Sequence, residues 1–552
     1  MSRRATDALA VAALLVLFAA VHLAWDDPWG ADLLPAPDAM ECVAIAESWL
    51  AHGLPAIELS DGALYPPRYA LGYPAALALW RAITGGGQTS ALVLNQLLSA
   101  VVIAMIYLVG RHLAGREGAF AAAVLATLSF KMADLAELAM TEPLAMVIVL
   151  AITGIAVARA GSGGRPSAIA IGALAGFLCT IRLTHVITLA YLLPMALLLR
   201  RRGIWADFKW GLVGFAPWMV AVALSQRWLN GSIWRQGYDL WAPYATALGQ
   251  GWSWRYLVSP PPVDIPGIAD LRFLPHWQTY PPMLLGLPLP GIGCIFYGWP
   301  VALGIVWAVI AERSRLRRRW AWAVLGGLAV YLIVWSLYYF WASRFFAPLI
   351  PLALLLGCRA IAPRWREGLS AANLVRIALL AIALWIQIST LVHYLGLQRP
   401  WTLSERQALI ALDEVIPPDA VVIIDAYATL ARSELESDER PRRVLCWAID
   451  GRDQLLFESR LFGVDSLRRG DGRASALFAG NVIQAHAQAE VERAWAEGRE
   501  VWVVLHRPTI EAGETSTRWQ TLEAERGTLF SAVDSEDMVH RAWRWETEAG
   551  GH

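Results

Sequence analysis

Lysine is almost missing from this 552-residue chain: Lys131 and Lys209 are the only ones, and arginine carries nearly all of the positive charge. Charge of either sign is scarce, at 17% of residues, and it balances to a net +0, so the chain offers no electrostatic footprint for nucleic acid. The five cysteines, Cys42, Cys179, Cys294, Cys358 and Cys446, have neither CxxC nor CxxH spacing, and neither a zinc site nor a disulfide framework is indicated. After Arg3 and Arg4 the first apolar run has no small-residue cleavage site, so a cleaved leader is not expected. What abounds is apolar: 57% of residues are hydrophobic and the mean hydropathy is +0.44, outside the usual range of soluble domains. Most of the chain belongs in lipid.

A membrane crossing takes about 20 apolar residues to traverse about 30 Å of hydrocarbon. Qualifying runs, several of them short, lie near residues 7–25, 88–110, 117–131, 142–159, 167–181, 183–199, 208–229, 294–311, 320–340, 343–361 and 372–392, about eleven spans. Alternate ends collect the arginines: Arg3 and Arg4, Arg111 and Arg116, Arg159 and Arg165, Arg200 to Arg202, Arg313 to Arg319, and Arg359 to Arg366. The positive-inside rule then puts the N-terminus in the cytoplasm, and the loops at 26–87 and 230–293 and the C-terminus outside. Tryptophans and tyrosines crowd the outward ends, among them Trp234, Trp252, Trp254, Tyr256 and Tyr338, as an interfacial belt would.

Residues 1–397 thus read as a transmembrane domain. Residues 398–552 change character: "ERQALIALDEVI" and "IQAHAQAEVERAWAEG" have helical periodicity, whereas "AVVIID", "RVLCWAI" and "EVWVVLH" read as strands. A small extracytoplasmic α/β domain is expected there. It carries no GxGxxG fingerprint, so nucleotide binding is not indicated.

Acids and arginines recur on the outward side. In "PDAMECVAIAESWLAHG", Asp38 stands where a helix lying on the outer surface would begin, Glu41 shares its face three residues on, and Gly53 closes the segment. A second cluster, "SFKMADLAELAMTEPLAM", brings Asp134, Glu137 and Glu142. Helix capping accounts for single acids at such places, but capping has no preference for one side of a membrane. Arg68 in "YPPRYALGYP", Arg182 in "CTIRLTHV" and Arg344 in "YYFWASRFFAPLIP" add cations. Each can snorkel to headgroups, and each is also matched to phosphate by its planar donor fork. His276 in "FLPHWQTYPP" reads either as a surface histidine or as lining for an acceptor entrance. Acids with arginines at one membrane face point to a lipid-linked phosphate as substrate.

In order along the chain, the first-loop Asp38 with "AESWLAHG", then "YPPRYALGYPAALALW", "AMTEPLAM", "GALAGFLCTIRLT" and "SRFFAPLIPLALLLG" resemble the GT-C superfamily of integral-membrane glycosyltransferases. The similarity is to the bacterial branch with the lipid A aminoarabinose transferase and relatives of protein O-mannosyltransferases, and it covers residues 1–360. The resemblance implies a polytopic α-helical fold and transfer, with inversion, of a sugar from a polyprenyl-phosphate carrier to an envelope lipid, glycan or protein at the outer face of the bacterial cytoplasmic membrane. Asp38 matches the first-loop aspartate, the general base; Glu142 matches the second-loop acid and is the second catalytic candidate; Arg68 stands where that branch has a lysine on the donor phosphate, with Arg344 and Arg182 as further phosphate ligands. Glu41, Asp134, Glu137 and His276 are candidates for the acceptor or for a metal. No cofactor is demanded; a divalent cation, Mg or Mn, is the one such carboxylates suit. Where the branch follows its aspartate with an acid and then an Arg-Tyr pair, this chain has Ala39, Glu41 and Cys42, which leaves the sugar unassigned. A transporter or lipid flippase is the rival reading, although no inverted repeat is visible.

Overall fold

The computed structural model describes residues 2–25, 37–58, 64–67, 69–85, 89–158, 164–191, 204–234, 237, 252–259, 275–289, 293–311, 315–338, 342–424, 443–446, 493–506, 529–533 and 540–545. Ala- and Leu-rich runs fold into helices, as their propensity dictates. In chain order these are α1 (Arg3–Trp25), α2 (Pro37–His52), α3 (Gly72–Thr84), α4 (Thr89–Leu113), α5 (Gly115–Thr127), α6 (Phe130–Ala136), α7 (Glu142–Ala158), α8 (Arg165–Ile181), α9 (Ile204–Asn230), α10 (Tyr280–Leu284), α11 (Trp299–Ala311), α12 (Arg315–Ser336), α13 (Ile350–Ile361) and α14 (Ala371–Val415). A short hairpin, β1 (Ile57–Glu58) with β2 (Leu64–Tyr65), separates α2 from α3.

Among the described residues, 6 helices are long and apolar enough to cross a membrane, and α5 with α6, bent by 65°, makes up to 7. Helices α7, α8 and α11 are apolar but shorter. Each expected span contains helix, but 183–199 and 343–361 start as 3-10 turns at Leu183–Thr188 and Ser343–Leu349, 294–311 is helical only from Trp299, and 117–131 is broken between Thr127 and Phe130; residues 192–199 lie outside the described set.

Contacts sort the helix ends into two groups. At one end Arg111 and Arg116 of the α4–α5 corner bond Asp7 of α1, and Arg359 of α13 donates to the Leu113 carbonyl at 3.2 Å. At the other end the start of α4 meets the end of α1, the α6–α7 junction and α3. The acid cluster at 134–142 therefore sits at the end remote from the arginine-rich corner.

Helices α8 and α9 touch backbone to backbone. A Cβ on Gly176 would stand 2.9 Å from the Phe215 carbonyl, and one on Gly172 would overlap Gly211 outright. Small residues are what allow lipid-embedded helices to approach so closely, because packing rather than hydrophobic exclusion holds them. Gly172→Leu is expected to force the two helices apart and to cost at least the 1–3 kcal/mol of an overpacked core, about, read as a lowered unfolding temperature of the detergent-solubilised protein; an unchanged temperature would show that the pair is held elsewhere.

The expected boundary at 397/398 falls inside α14, which continues through Gly396 and Pro400 to Val415. At about 1.5 Å per residue it is far longer than a membrane is thick, and it leads directly into a mixed sheet. Strand order is β4-β3-β5-β7-β6, with β3 (Val421–Ile424) parallel to β4 (Arg443–Cys446) and β5 (Val501–His506), and β7 (His540–Trp545) antiparallel to β5 and β6 (Leu529–Val533). The three strands read from the sequence are present; β6 and β7 are additional.

Candidate active site

Pro37 opens α2 as its first residue, a position where the missing N–H costs nothing, and Gly53 closes it with φ 69°. Asp38 is therefore the second residue of the helix, inside its first turn. For Asp38 and Glu41 only the helical backbone is described, and Arg68 lies outside the described residues. One turn beyond Asp38, Cys42, Ile45 and Ala46 are buried, and α2 packs against α3 instead of lying free on a surface.

Glu142 begins α7 and is 1% exposed. Its carboxylate accepts from Arg182 Nη1 at 3.5 Å and from the Thr141 hydroxyl at 3.2 Å, and Arg344 Nε stands 4.0 Å away. Phe345 lies beside both cations, its ring centre 5.2 Å from Arg182 Cζ and 6.0 Å from Arg344 Cζ, and Trp335 stacks on it at 4.0 Å. Two guanidiniums thus converge on one carboxylate over an aromatic shelf, a setting in which cation–π attraction and a partly desolvated ion pair reinforce each other. Three residues far apart in the chain, Glu142, Arg182 and Arg344, form one cluster.

The other acids of that segment are engaged differently. Glu137 is buried, accepts from Gln96 at 3.0 Å and bonds the imidazole of His22 at the end of α1. Asp134 pairs with Lys131. The irregular backbone at 137–141 has its carbonyls met by Asn95, whose amide donates to Leu138 and, at 3.0 Å, to Met140, while its oxygen accepts from Tyr73 at 2.7 Å. Non-helical backbone at membrane depth needs such internal partners. Tyr73 is buried; burial, then the nearby Cys42 and Glu142, push its phenol well above the ordinary range. One side chain of α3 is therefore near both α2 and the carboxylate that starts α7. Asn95, Gln96, Tyr73 and His22 escaped the reading of the sequence, although "LNQLL" inside an apolar run is the kind of polar intrusion that marks function.

His276 is neither on the surface nor open to an entrance: it is 0% exposed, its Nδ1 donates to the Ser336 carbonyl at 2.9 Å, and Tyr280 packs on it. Burial lowers its pKa, partly opposed by that hydrogen bond, so the imidazole is neutral at neutral pH. Tyr280 in turn accepts from the Ala342 N–H, two residues before Arg344, so this outer segment braces the strand of chain that delivers the arginine. Among the described residues no group of three His, Cys, Asp or Glu is placed to hold a metal ion.

Beside the cluster opens a cavity of about 830 Å³ between α8, the 3-10 turn, α9 and the segment entering α3. Trp49, Pro67, Tyr69, Trp218, Leu224 and Trp228 are among its walls, and among the described residues Arg182 is the one charged residue in its lining. Gly72 lets this segment close on α8, since a Cβ there would come 2.7 Å from the Thr180 carbonyl. Val186, Leu224 and Trp228 are exposed, so an apolar trough runs from the protein's exterior to a guanidinium. Pro67 and Tyr69, the chain neighbours of Arg68, belong to its wall.

Comparison with known proteins agrees with this architecture. Residues 69–225 match the family model of dolichyl-phosphate-mannose-protein mannosyltransferases. The fold is similar to that of ArnT from Cupriavidus metallidurans, solved bound to undecaprenyl phosphate, with 14% identity, a TM-score of 0.56, and coverage of 97% of this chain and 99% of that one. It is equally similar to the same enzyme in the apo state, with 13% identity, a TM-score of 0.57, and coverage of 97% and 98%. No curated protein matches by sequence. The chain is a polytopic helical membrane protein. Its fold is the one it shares with the two ArnT structures.

Proposed function

We propose that this chain is a GT-C glycosyltransferase that moves a sugar from a polyprenyl-phosphate carrier to a hydroxyl acceptor on an envelope lipid, glycan or protein, at the outer face of a bacterial cytoplasmic membrane. The observation that carries the reading is the apolar trough of about 830 Å³ ending on Arg182, beside the Glu142–Arg344 pair. Its chemistry suits a ligand with one long apolar tail and one phosphate head, the form of the lipid seen in the solved ArnT complex. A volume of that size is ample for several isoprene units and a headgroup.

In this reading the acceptor oxygen attacks the anomeric carbon from the face opposite the phosphate. Asp38 takes the hydroxyl proton, the bond between the sugar carbon and the phosphate oxygen breaks, and polyprenyl phosphate departs with the added negative charge. A single displacement inverts the anomeric centre. Arg182 and Arg344, joined by Arg68, hold the leaving phosphate, where fixed cations away from bulk water stabilise developing charge. Glu142 acts through those arginines: its carboxylate keeps two like charges within reach of one phosphate, which makes it a positioning residue.

The test is binding of undecaprenyl phosphate to the purified full-length protein. Losing one charge-assisted contact is worth about 1.5–3 kcal/mol, so Arg182→Ala is expected to weaken binding by about 10- to 100-fold. Equal affinity in the variant would remove the trough from the donor site. Mass analysis of envelope glycolipids and glycoproteins with and without the gene then identifies the acceptor, and no missing glycosidic product would defeat the assignment as a transferase.

A further inference from the structure

The geometry points to a second lipid site, at the opposite end of the bundle, that takes one anionic phospholipid of the bilayer. A cavity of about 480 Å³ lies between α1 and α4. Its walls are apolar, with Ala8, Val11, Ala12 and Leu15 on α1 and Leu108 on α4, and its mouth carries Arg4, Asp7 and Arg111. Leu15 and Leu108 are 37% and 39% exposed, so the slot opens to the exterior of the bundle rather than into the core.

The mouth is built. Asp7 is buried and accepts from Tyr107 at 2.8 Å, and it bonds both Arg111 and, at 3.0 Å, Arg116. Arg116 also donates to the Arg3 carbonyl at 3.2 Å, tying the first turn of α1 to the α4–α5 corner. One carboxylate thus fixes two guanidiniums in place, a costly burial that makes sense where the cations must be presented in a set geometry. Arg3, Arg4, Arg111, Arg116 and Arg359 gather at this end, and the acids among the described residues here are Asp7 and Glu117. The balance is positive.

A phosphodiester headgroup is the complement of that charge, and its acyl chains are the complement of the slot. Basic pockets between membrane helices on the arginine-rich side bind such headgroups. A zwitterionic lipid would fill the slot equally well but bring its own cation to the arginines, so charge selects the anionic one. The inference is independent of the sugar-transfer reading, because no residue of the site takes part in it.

The experiment uses full-length protein in a neutral detergent, titrated with phosphatidylglycerol or with phosphatidylcholine of the same chains. Bound lipid is counted by native mass spectrometry, and the lipid-dependent rise in unfolding temperature is followed in parallel. The expected result is one tightly retained phosphatidylglycerol, lost as salt is raised, and no comparable retention of phosphatidylcholine. Arg4→Gln, on an exposed first turn, should weaken retention by about five-fold. Ala12→Trp fills the slot, leaves every charge in place, and should weaken it as well. Should Ala12→Trp lower the unfolding temperature without lipid, Arg4→Gln decides. Equal retention of phosphatidylcholine, or wild-type retention of phosphatidylglycerol by Arg4→Gln, would overturn the site.

Discussion

Asp38→Asn is expected to lower the rate of sugar transfer by about 10²- to 10⁴-fold, the contribution of a positioned general base, with protein level and undecaprenyl phosphate binding close to wild type. Asn keeps the size of the side chain and can still cap a helix, so a residue with only a helix-starting role would tolerate the change within a few tenths of a kcal/mol, roughly. Asp38 lies in the first turn of α2, the buried stripe Cys42–Ile45–Ala46 anchors that helix beside Tyr73, and Trp49 at its far end is part of the trough wall. Assays at saturating donor and acceptor isolate the chemical step. Wild-type turnover in the variant would return Asp38 to the status of a helix-starting residue.

Glu142→Gln should act on a different constant. Removing one partner of a buried ion pair strands the other, at a cost of about 3–5 kcal/mol; here the stranded groups are two arginines whose side chains keep 15% and 18% of their exposure, which places the effect near the lower end. The expected outcome is a donor KM raised by about 10-fold or more and a lower unfolding temperature, with kcat reduced less than in Asp38→Asn. The opposite split, kcat down by about 10²-fold or more with donor KM unchanged, would make Glu142 the proton acceptor and remove Asp38 from that role. Glu142→Asp, which keeps the charge on a shorter arm, should fall between wild type and Gln.

Arrangement, more than residue type, separates these two acids. Both stand at the start of a helix, and from spacing alone capping explained either. The carboxylate of Glu142 turns to Arg182 and Arg344, 40 and 202 residues away in sequence, and nothing local in "AMTEPLAM" indicates those partners. Glu137 is a stronger case: beside Glu142 in the chain, it bonds His22, 115 residues away. Asn95 and Gln96 were equally hidden, because a polar pair in an apolar run signals importance without naming the carbonyls and carboxylate it meets.

By itself the sequence determined the apolar character of the chain, where its apolar helices lie, the arginine-rich segments, and a strand-containing segment after the last span. These are local or periodic properties: about 20 apolar residues make a span wherever they occur, and unpaired arginine resists crossing. Only the tertiary structure decided which acid meets which arginine, that Gly172 and Gly211 bring α8 against α9 to wall a trough, and that α14 passes Gly396 and Pro400 without a break. The reason is that contacts between segments distant in the chain depend on how helices cross, and helix crossing in lipid is chosen by backbone proximity and by a few buried polar bonds, neither of which has a period that a sequence can display.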